Sequence, residues 1–125
     1  MKKVYVKDIM HKITVVDADI MISNAAKLMA DKNIGSLMVK EEGSIDGILT
    51  ERDILKKVVG KDLDPRTTKV SEVMTLHPLI IDAKATLEDA AEIFNNVHIR
   101  RLPVIQKGEI IGIVTSRDVA KTIGK

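Results

Sequence analysis

The sequence predicts an α/β fold built twice, each half running strand, helix, strand, strand, helix, and three observations carry that prediction. First, Gly47-Ile48-Leu49-Thr50-Glu51-Arg52-Asp53 recurs sixty-five positions later as Gly112-Ile113-Val114-Thr115-Ser116-Arg117-Asp118. Sliding residues 17–58 onto 82–123 without a gap leaves about fifteen identities in roughly forty positions, and several of the mismatches exchange one aliphatic for another. Second, each half carries apolar residues at helical spacing. Third, each half then carries two apolar runs joined at a glycine, the pattern of a β-hairpin.

Taken in order, each repeat opens with a short turn ending in methionine, Val6-Lys7-Asp8-Ile9-Met10 and Val70-Ser71-Glu72-Val73-Met74. The apolar runs 13–16 and 79–81 follow and read as short buried strands. Ile22, Ala25, Ala26 and Met29 then mark one helix face, and Leu87, Ala90, Ala91 and Phe94 the matching face of the second. Thr86 with Asp89 three residues on is a capping pair, whereas the first repeat has Met21 at that place and must start its helix differently. Strands are expected over 36–40 and 44–49, and again over 101–105 and 109–114. Glu41-Glu42-Gly43 and Gln106-Lys107-Gly108 read as three-residue connections whose glycine takes positive φ. Helices over 51–59 and 116–123 close the halves. The polar stretch 61–69, with Pro65, reads as a linker between a first domain at 1–60 and a second at 70–125.

Composition narrows the classes. A chain of 125 residues holds one unit, or two halves of about sixty that each bury too little to be secure alone. With 45% hydrophobic and 30% charged residues, a globular core is expected instead of disorder. Tyr5 and Phe94 are its aromatics, so the core must be aliphatic and a planar ligand would lie between aliphatic side chains. The absence of cysteine excludes disulfides, thiolate nucleophiles and Cys-based zinc sites, and is compatible with the cytoplasm. No segment approaches the roughly eighteen apolar residues of a membrane span, and no signal-peptide apolar stretch follows Met1. Twenty basic against eighteen acidic residues, interspersed, give a net charge of +2 and no strong footprint for nucleic acid.

The residues that could carry chemistry sit where a strand gives way to a helix: Thr50 with Asp53, and Thr115 with Asp118. One reading is structural, a hydroxyl and an acid capping a helix start. The other is ligand binding, since a helix N-terminus favours anions and a carboxylate can hold two vicinal hydroxyls, a set that fits phosphate plus ribose. Gly47 and Gly112 either admit a ligand close to the strand or mark a bulge or tight contact. His11, His77 and His98 are widely spaced, without the i, i+4 pairing of a helical metal site, so no metal is expected, and His98 reads as a helix end. The Gly-Lys-Ser/Thr phosphate loop and the Gly-x-Ser-x-Gly elbow are absent, and no catalytic residue is assigned.

The Gly-h-h-Thr-x-x-Asp pattern (h apolar), duplicated and preceded in the second half by Arg100-Arg101-Leu102-Pro103-Val104-Ile105, resembles a tandem pair of CBS domains, named after cystathionine beta-synthase. The resemblance covers residues 6–123. It implies two domains packed sheet to sheet about a pseudo-twofold axis, with clefts between them that bind AMP, ADP, ATP or S-adenosylmethionine without turning them over. Matched position by position, Asp53 and Asp118 correspond to the ribose-binding acids, and Thr50 and Thr115 to hydroxyls near ribose or phosphate. Ile13, Thr14 and Val15, with Pro78, Leu79 and Ile80, match the backbone that reads the adenine edge. Arg101 matches a phosphate-contacting residue, with Arg100 as its neighbour. Gly35-Ser36 stand where the second repeat has Arg100-Arg101, so unequal sites are expected. Arg52 and Arg117, before the aspartates, read as solvated.

The expected function is a stand-alone regulatory module that senses an adenosine-containing ligand and signals to an effector protein, assembled as a homodimer as the family's disc-like assemblies imply. Two rivals remain: a structural interaction module whose Thr-x-x-Asp pairs only cap helices, and nucleic-acid binding through Arg100, Arg101 and scattered lysines.

Overall fold

The structure, a computed structural model, describes residues 2–124. A short helix α1 (Val6–Ile9) leads into β1 (Val15–Asp17), α2 (Ile22–Lys32), β2 (Ser36–Glu41) and β3 (Ser44–Thr50). The next helical stretch begins as α3 (Glu51–Asp53), loosens into a π turn over Ile54–Val58 and tightens into a 3₁₀ turn over Val59–Lys61. After a second 3₁₀ turn at Val70–Glu72 come β4 (Thr75–Leu76), β5 (Ile81–Asp82), α4 (Leu87–Asn96), β6 (Arg101–Gln106), β7 (Glu109–Thr115) and α5 (Ser116–Ile123). The strands form one sheet of order β1-β2-β3-β4 and another of order β5-β6-β7. In each, the first strand lies parallel to the second and the hairpin is antiparallel.

The compact units divide the chain differently from the sequence repeat. One runs from Thr14 to Pro78; the other joins the segment ending at Ile13 to the chain from Leu79 onward. Each repeat's opening turn thus serves the unit built on the other repeat's hairpin. Val6 is fully buried among Leu87, Leu102 and Val114, while Val70 and Val73 are buried among Ile22, Leu37 and Leu49. Backbone bonds repeat the exchange: the N–H of Val6 donates to Ala85 O (2.8 Å) and that of Val70 to Ile20 O (2.9 Å).

The same exchange explains how α2 starts. Met21 supplies no side-chain cap; instead the N–H of Ile22 donates to Thr68 O and that of Ser23 to Pro65 O, both at 2.8 Å. Carbonyls of the 61–69 stretch satisfy the orphan donors of the helix. That stretch between the repeats therefore also supports α2, and Thr68 within it is buried, its hydroxyl donating to Asp64 O at 2.8 Å. In α4 the expected cap is present, with Thr86 Oγ1 accepting from the Asp89 N–H at 3.2 Å.

Several sequence expectations need correction. The hairpin connections are two-residue turns, Glu42-Gly43 (φ 51° and 80°) and Lys107-Gly108 (φ 52° and 79°), because paired positive φ values match the twist of the flanking strands. The run 79–81 is not a buried strand: β5 starts at Ile81, and Leu79 and Ile80 are 53% and 43% exposed. In the first repeat β1 pairs Val15 with Met38, whose N–H donates to Thr14 O at 2.9 Å. The residue equivalent to Met38 is Pro103, which has no N–H to extend the ladder. β1 itself spans Val15–Asp17 instead of 13–16, with Val15 39% exposed. His98 lies beyond the end of α4, whose C-cap is Val97.

Gly47 and Gly112 prove to be close-contact glycines beside a register shift in each hairpin. A Cβ on Gly47 would stand 2.8 Å from Met74 Sδ; one on Gly112 would stand 2.5 Å from Met10 Sδ, 2.9 Å from its Cγ and 3.1 Å from the carbonyl oxygen of His11. The methionine ending each opening turn lies over the glycine of the unit it serves, so at both positions the tight-contact reading holds. Gly112→Ala should destabilise the protein by about 1–3 kcal/mol, the range for overpacking a fitted site. Gly47→Ala should cost less, since the atom in its way is the flexible end of a methionine. Parallel thermal melts of the two variants check the ranking.

Candidate functional site

The β6–β7 hairpin sets Arg101 directly opposite Thr115 in register. β7 ends at Thr115 and α5 begins at Ser116, whose N–H donates to Arg100 O at 2.9 Å. Thr115, Asp118, Arg101 and Arg100 therefore gather at one end of this hairpin. Thr115 Oγ1 accepts from the Asp118 N–H at 3.1 Å and donates to Asp118 Oδ2 at 2.6 Å; the Thr115 N–H reaches the same oxygen at 3.3 Å. His11, on the opening segment that packs here, places Nε2 2.8 Å from Oδ2. Because β5 runs parallel to β6, Leu79 and Ile80 approach from the end of the sheet that carries Arg101.

The first-repeat counterpart has the same backbone plan. Ser36 stands opposite Thr50, and the Glu51 N–H donates to Gly35 O at 3.0 Å. Asp53 Oδ2 accepts from the N–H and the hydroxyl of Thr50, both at 3.0 Å, and Thr50 Oγ1 accepts from the Asp53 N–H at 3.1 Å. Here the further partner is Lys57, whose Nζ lies 3.2 Å from Asp53 Oδ1 and donates to Val73 O at 3.0 Å. Both Thr-x-x-Asp pairs are complete capping boxes. Two of the first three N–H groups of each helix, those of Glu51 and Asp53 and of Ser116 and Asp118, are taken by these local bonds.

The boundaries between the units run through both sets of adenine-edge candidates. Ile13 belongs to a different unit from Thr14 and Val15, and Pro78 to a different unit from Leu79 and Ile80. Sequence reasoning also missed two residues. The sequence presents His11 only as a candidate metal ligand; the signal that places it is its position one residue past Met10, and that signal is legible only once the opening turn is known to serve the second repeat's unit. Lys57, four residues after Asp53 on a helix, had the spacing of an ion pair.

Electrostatics favour an ionised Asp118. Partial burial works against its charge, but the Thr115 hydroxyl, the charge and hydrogen bond of His11 and the Thr115 N–H outweigh it and hold the carboxyl below its ordinary value. A carboxyl depressed on folding stabilises the native state above its unfolded pKa, and that contribution disappears as pH falls through the folded value. Asp89, held low by the backbone N–H and hydroxyl of Thr86, and Asp64, held low chiefly by the backbone N–H of Arg66, act in the same direction. Stability should therefore decline on acidification below about pH 4, and Asp118→Asn should flatten part of that decline in melts taken from pH 6 to pH 2.

These features define a class: a duplicated α/β module in which two β-α-β-β-α repeats exchange their opening turns and carry matched Thr-x-x-Asp corners. The chain belongs to the CBS domain family, whose model matches residues 6–60 and 70–125. It is 36% identical over 116 residues to the CBS domain-containing protein YhcV of Bacillus subtilis, covering 92% of this chain and 82% of that one. Hypoxic response protein 1 of Mycobacterium tuberculosis is 32% identical over 117 residues, again 92% of this chain and 82% of the relative. Among solved structures, the hexameric CBS-CP12 protein from bloom-forming cyanobacteria superposes with a TM-score of 0.88 at 29% identity, over 99% of this chain and 76% of that one. Hypoxic Response Protein I with two coordinated zinc ions superposes with a TM-score of 0.77 at 31% identity, over 94% and 97% of the respective chains. The two curated relatives are named as CBS-domain and hypoxic response proteins, not as enzymes, and CBS pairs are generally regulatory. Among the described residues no helix is long and apolar enough to cross a membrane.

Proposed function

We propose that this CBS pair is a regulatory binding protein that takes up an adenosine-containing ligand, AMP, ADP, ATP or S-adenosylmethionine, and reports its presence to an effector protein without chemically altering the ligand. The observation that supports this reading most directly is the gathering of Thr115, Asp118, Arg101 and Arg100 at one end of the β6–β7 hairpin. An ionised carboxylate suits a ribose diol, and guanidinium groups suit phosphate because they offer a fixed fork of donors. The first-repeat corner has Ser36 where Arg101 stands, so the phosphate-binding part of the reading rests on the second repeat. A homodimer is part of the proposal: Leu55 and Val59, four residues apart on one helical stretch, are each 62% exposed, and a cyanobacterial relative is hexameric. Among the described residues no group of three or more His, Asp or Glu side chains is placed to hold a metal ion.

A second reading has its own observation. Both Thr-x-x-Asp corners are complete capping boxes, which is all that a purely structural interaction module would require. Thermal-shift and calorimetric titration of the wild type and Asp118→Ala with AMP, ADP, ATP, S-adenosylmethionine and GTP separates the two. The sensor reading expects adenine-selective stabilisation, about 2.7 kcal/mol at a hundredfold excess over Kd, and loss of affinity in the variant beyond its loss of stability. The structural reading expects flat titrations and a stability loss of about 1 kcal/mol.

A further inference from the structure

The two aspartates that close the duplicated corners differ in their remaining partner, and the difference traces to two positions, one in the exchanged segments and one on the helical stretches that follow the hairpins. His11 pairs its backbone both ways with Ile113, at 2.8 and 3.0 Å. In the other unit the residue paired with the equivalent Ile48 is Thr75. His11 and Thr75 thus occupy the same edge position beside β7 and β3. The imidazole of His11 extends to Asp118 Oδ2, whereas Asp53 takes its partner from Lys57 on its own helical stretch. The residue equivalent to Lys57 is Thr122, whose hydroxyl donates to the backbone carbonyl of Asp118 at 2.9 Å.

Asp118 Oδ2 consequently has three neighbours at hydrogen-bond distance, the Thr115 hydroxyl, the Thr115 N–H and His11 Nε2. A carboxylate oxygen has about two lone-pair sites, so this oxygen is fully engaged. A diol hydroxyl can bond to it only by replacing one neighbour. The two contacts from Thr115 belong to the cap of α5 and are half-buried, while the His11 side chain is 61% exposed and its backbone is anchored independently of its ring. His11 is the neighbour that can leave.

We propose that His11 is a specificity-determining residue of the Asp118 corner: its imidazole occupies Oδ2, one of the two carboxylate oxygens that a vicinal diol bridges when each hydroxyl donates to one of them, so that such a ligand displaces it. This rests on the reading of Asp118 as a diol-binding acid. Its consequence is that His11 weakens two-hydroxyl binding at this corner by competing for Oδ2, whereas at the Asp53 corner the competing side chain is Lys57, at Oδ1.

The test is calorimetric titration of the full chain, wild type, His11→Ala, His11→Gln and Asp118→Ala, with AMP and with 2′-deoxy-AMP, alongside thermal melts to verify folding. His11→Ala should bind AMP on the order of tenfold more tightly, the worth of one competing hydrogen bond to a charged group. It should bind 2′-deoxy-AMP with little change, because that ligand lacks one of the two hydroxyls. His11→Gln, which keeps a side-chain N–H donor, should return toward wild-type affinity. AMP binding that is unchanged or weaker in His11→Ala overturns the proposal, while its loss in Asp118→Ala would leave the sensor reading standing. Binding seen only in His11→Ala supports the proposal in its strongest form. Binding by neither protein overturns the sensor reading and this inference with it.

Discussion

A chain shortened to start at Thr14 should lose the folded structure of its second repeat, although every residue from 70 to 125 is still present. The shortened chain lacks Val6, which is fully buried, and Val4, Ile9 and Met10, which pack against the same cluster. It also lacks the Val4 carbonyl that accepts from the Leu87 N–H at the start of α4, and both backbone bonds between His11 and Ile113. At roughly 1.5–3 kcal/mol for each buried aliphatic side chain, the loss is on the order of 5 kcal/mol, comparable to the whole stability of a small domain. Hydrogen exchange reads the result by segment: amides of β6, β7 and α4 should lose protection by orders of magnitude, and those of the β2–β3 hairpin should lose much less. Retained protection across β6 and β7 would mean that residues 70–125 fold without the opening turn, against the division seen in the structure.

The second large effect separates two leucines that the sequence alone placed in similar apolar strands. Leu102, the second residue of β6, is fully buried, whereas Leu79 is 53% exposed. Leu102→Ala leaves a cavity among aliphatic neighbours and should cost about 2–5 kcal/mol, a fall in melting temperature of roughly 10 °C or more. Leu79→Ala should stay within about 0.5 kcal/mol. Equal losses in denaturant titrations of the two variants would contradict the short β5 and restore a buried strand at 79–81.

What was legible in the sequence and what was not follow from the range of the interactions. The hairpins, the apolar faces of α2 and α4, and the Thr86–Asp89 cap depend on residues within a few positions of one another, so spacing revealed them. The duplicated Thr-x-x-Asp corners were equally legible, and the structure gives both the bonding of a cap. The exchange of opening turns depends on contacts between segments fifty residues apart or more, such as the bonds from the Val70 N–H to Ile20 O and from the Val6 N–H to Ala85 O, and periodicity carries no record of partners at that separation. The start of α2 was hidden for the same reason, since its donors are satisfied by backbone carbonyls at Pro65 and Thr68 and no side chain advertises the arrangement. The missing ladder at Ile80 was readable in principle from Pro103, once the pairing of β5 with β6 was known.

The reciprocal exchange of opening turns also bears on how such a chain arises. Two copies of one repeat that trade the same segment are the arrangement of a swapped dimer, and joining the copies end to end keeps every traded contact while making it intramolecular. The 61–69 stretch is then the splice, and the carbonyls it sets over α2 give that splice a structural duty of its own. The two halves differ at the corners, with Lys57 beside one aspartate and His11 beside the other.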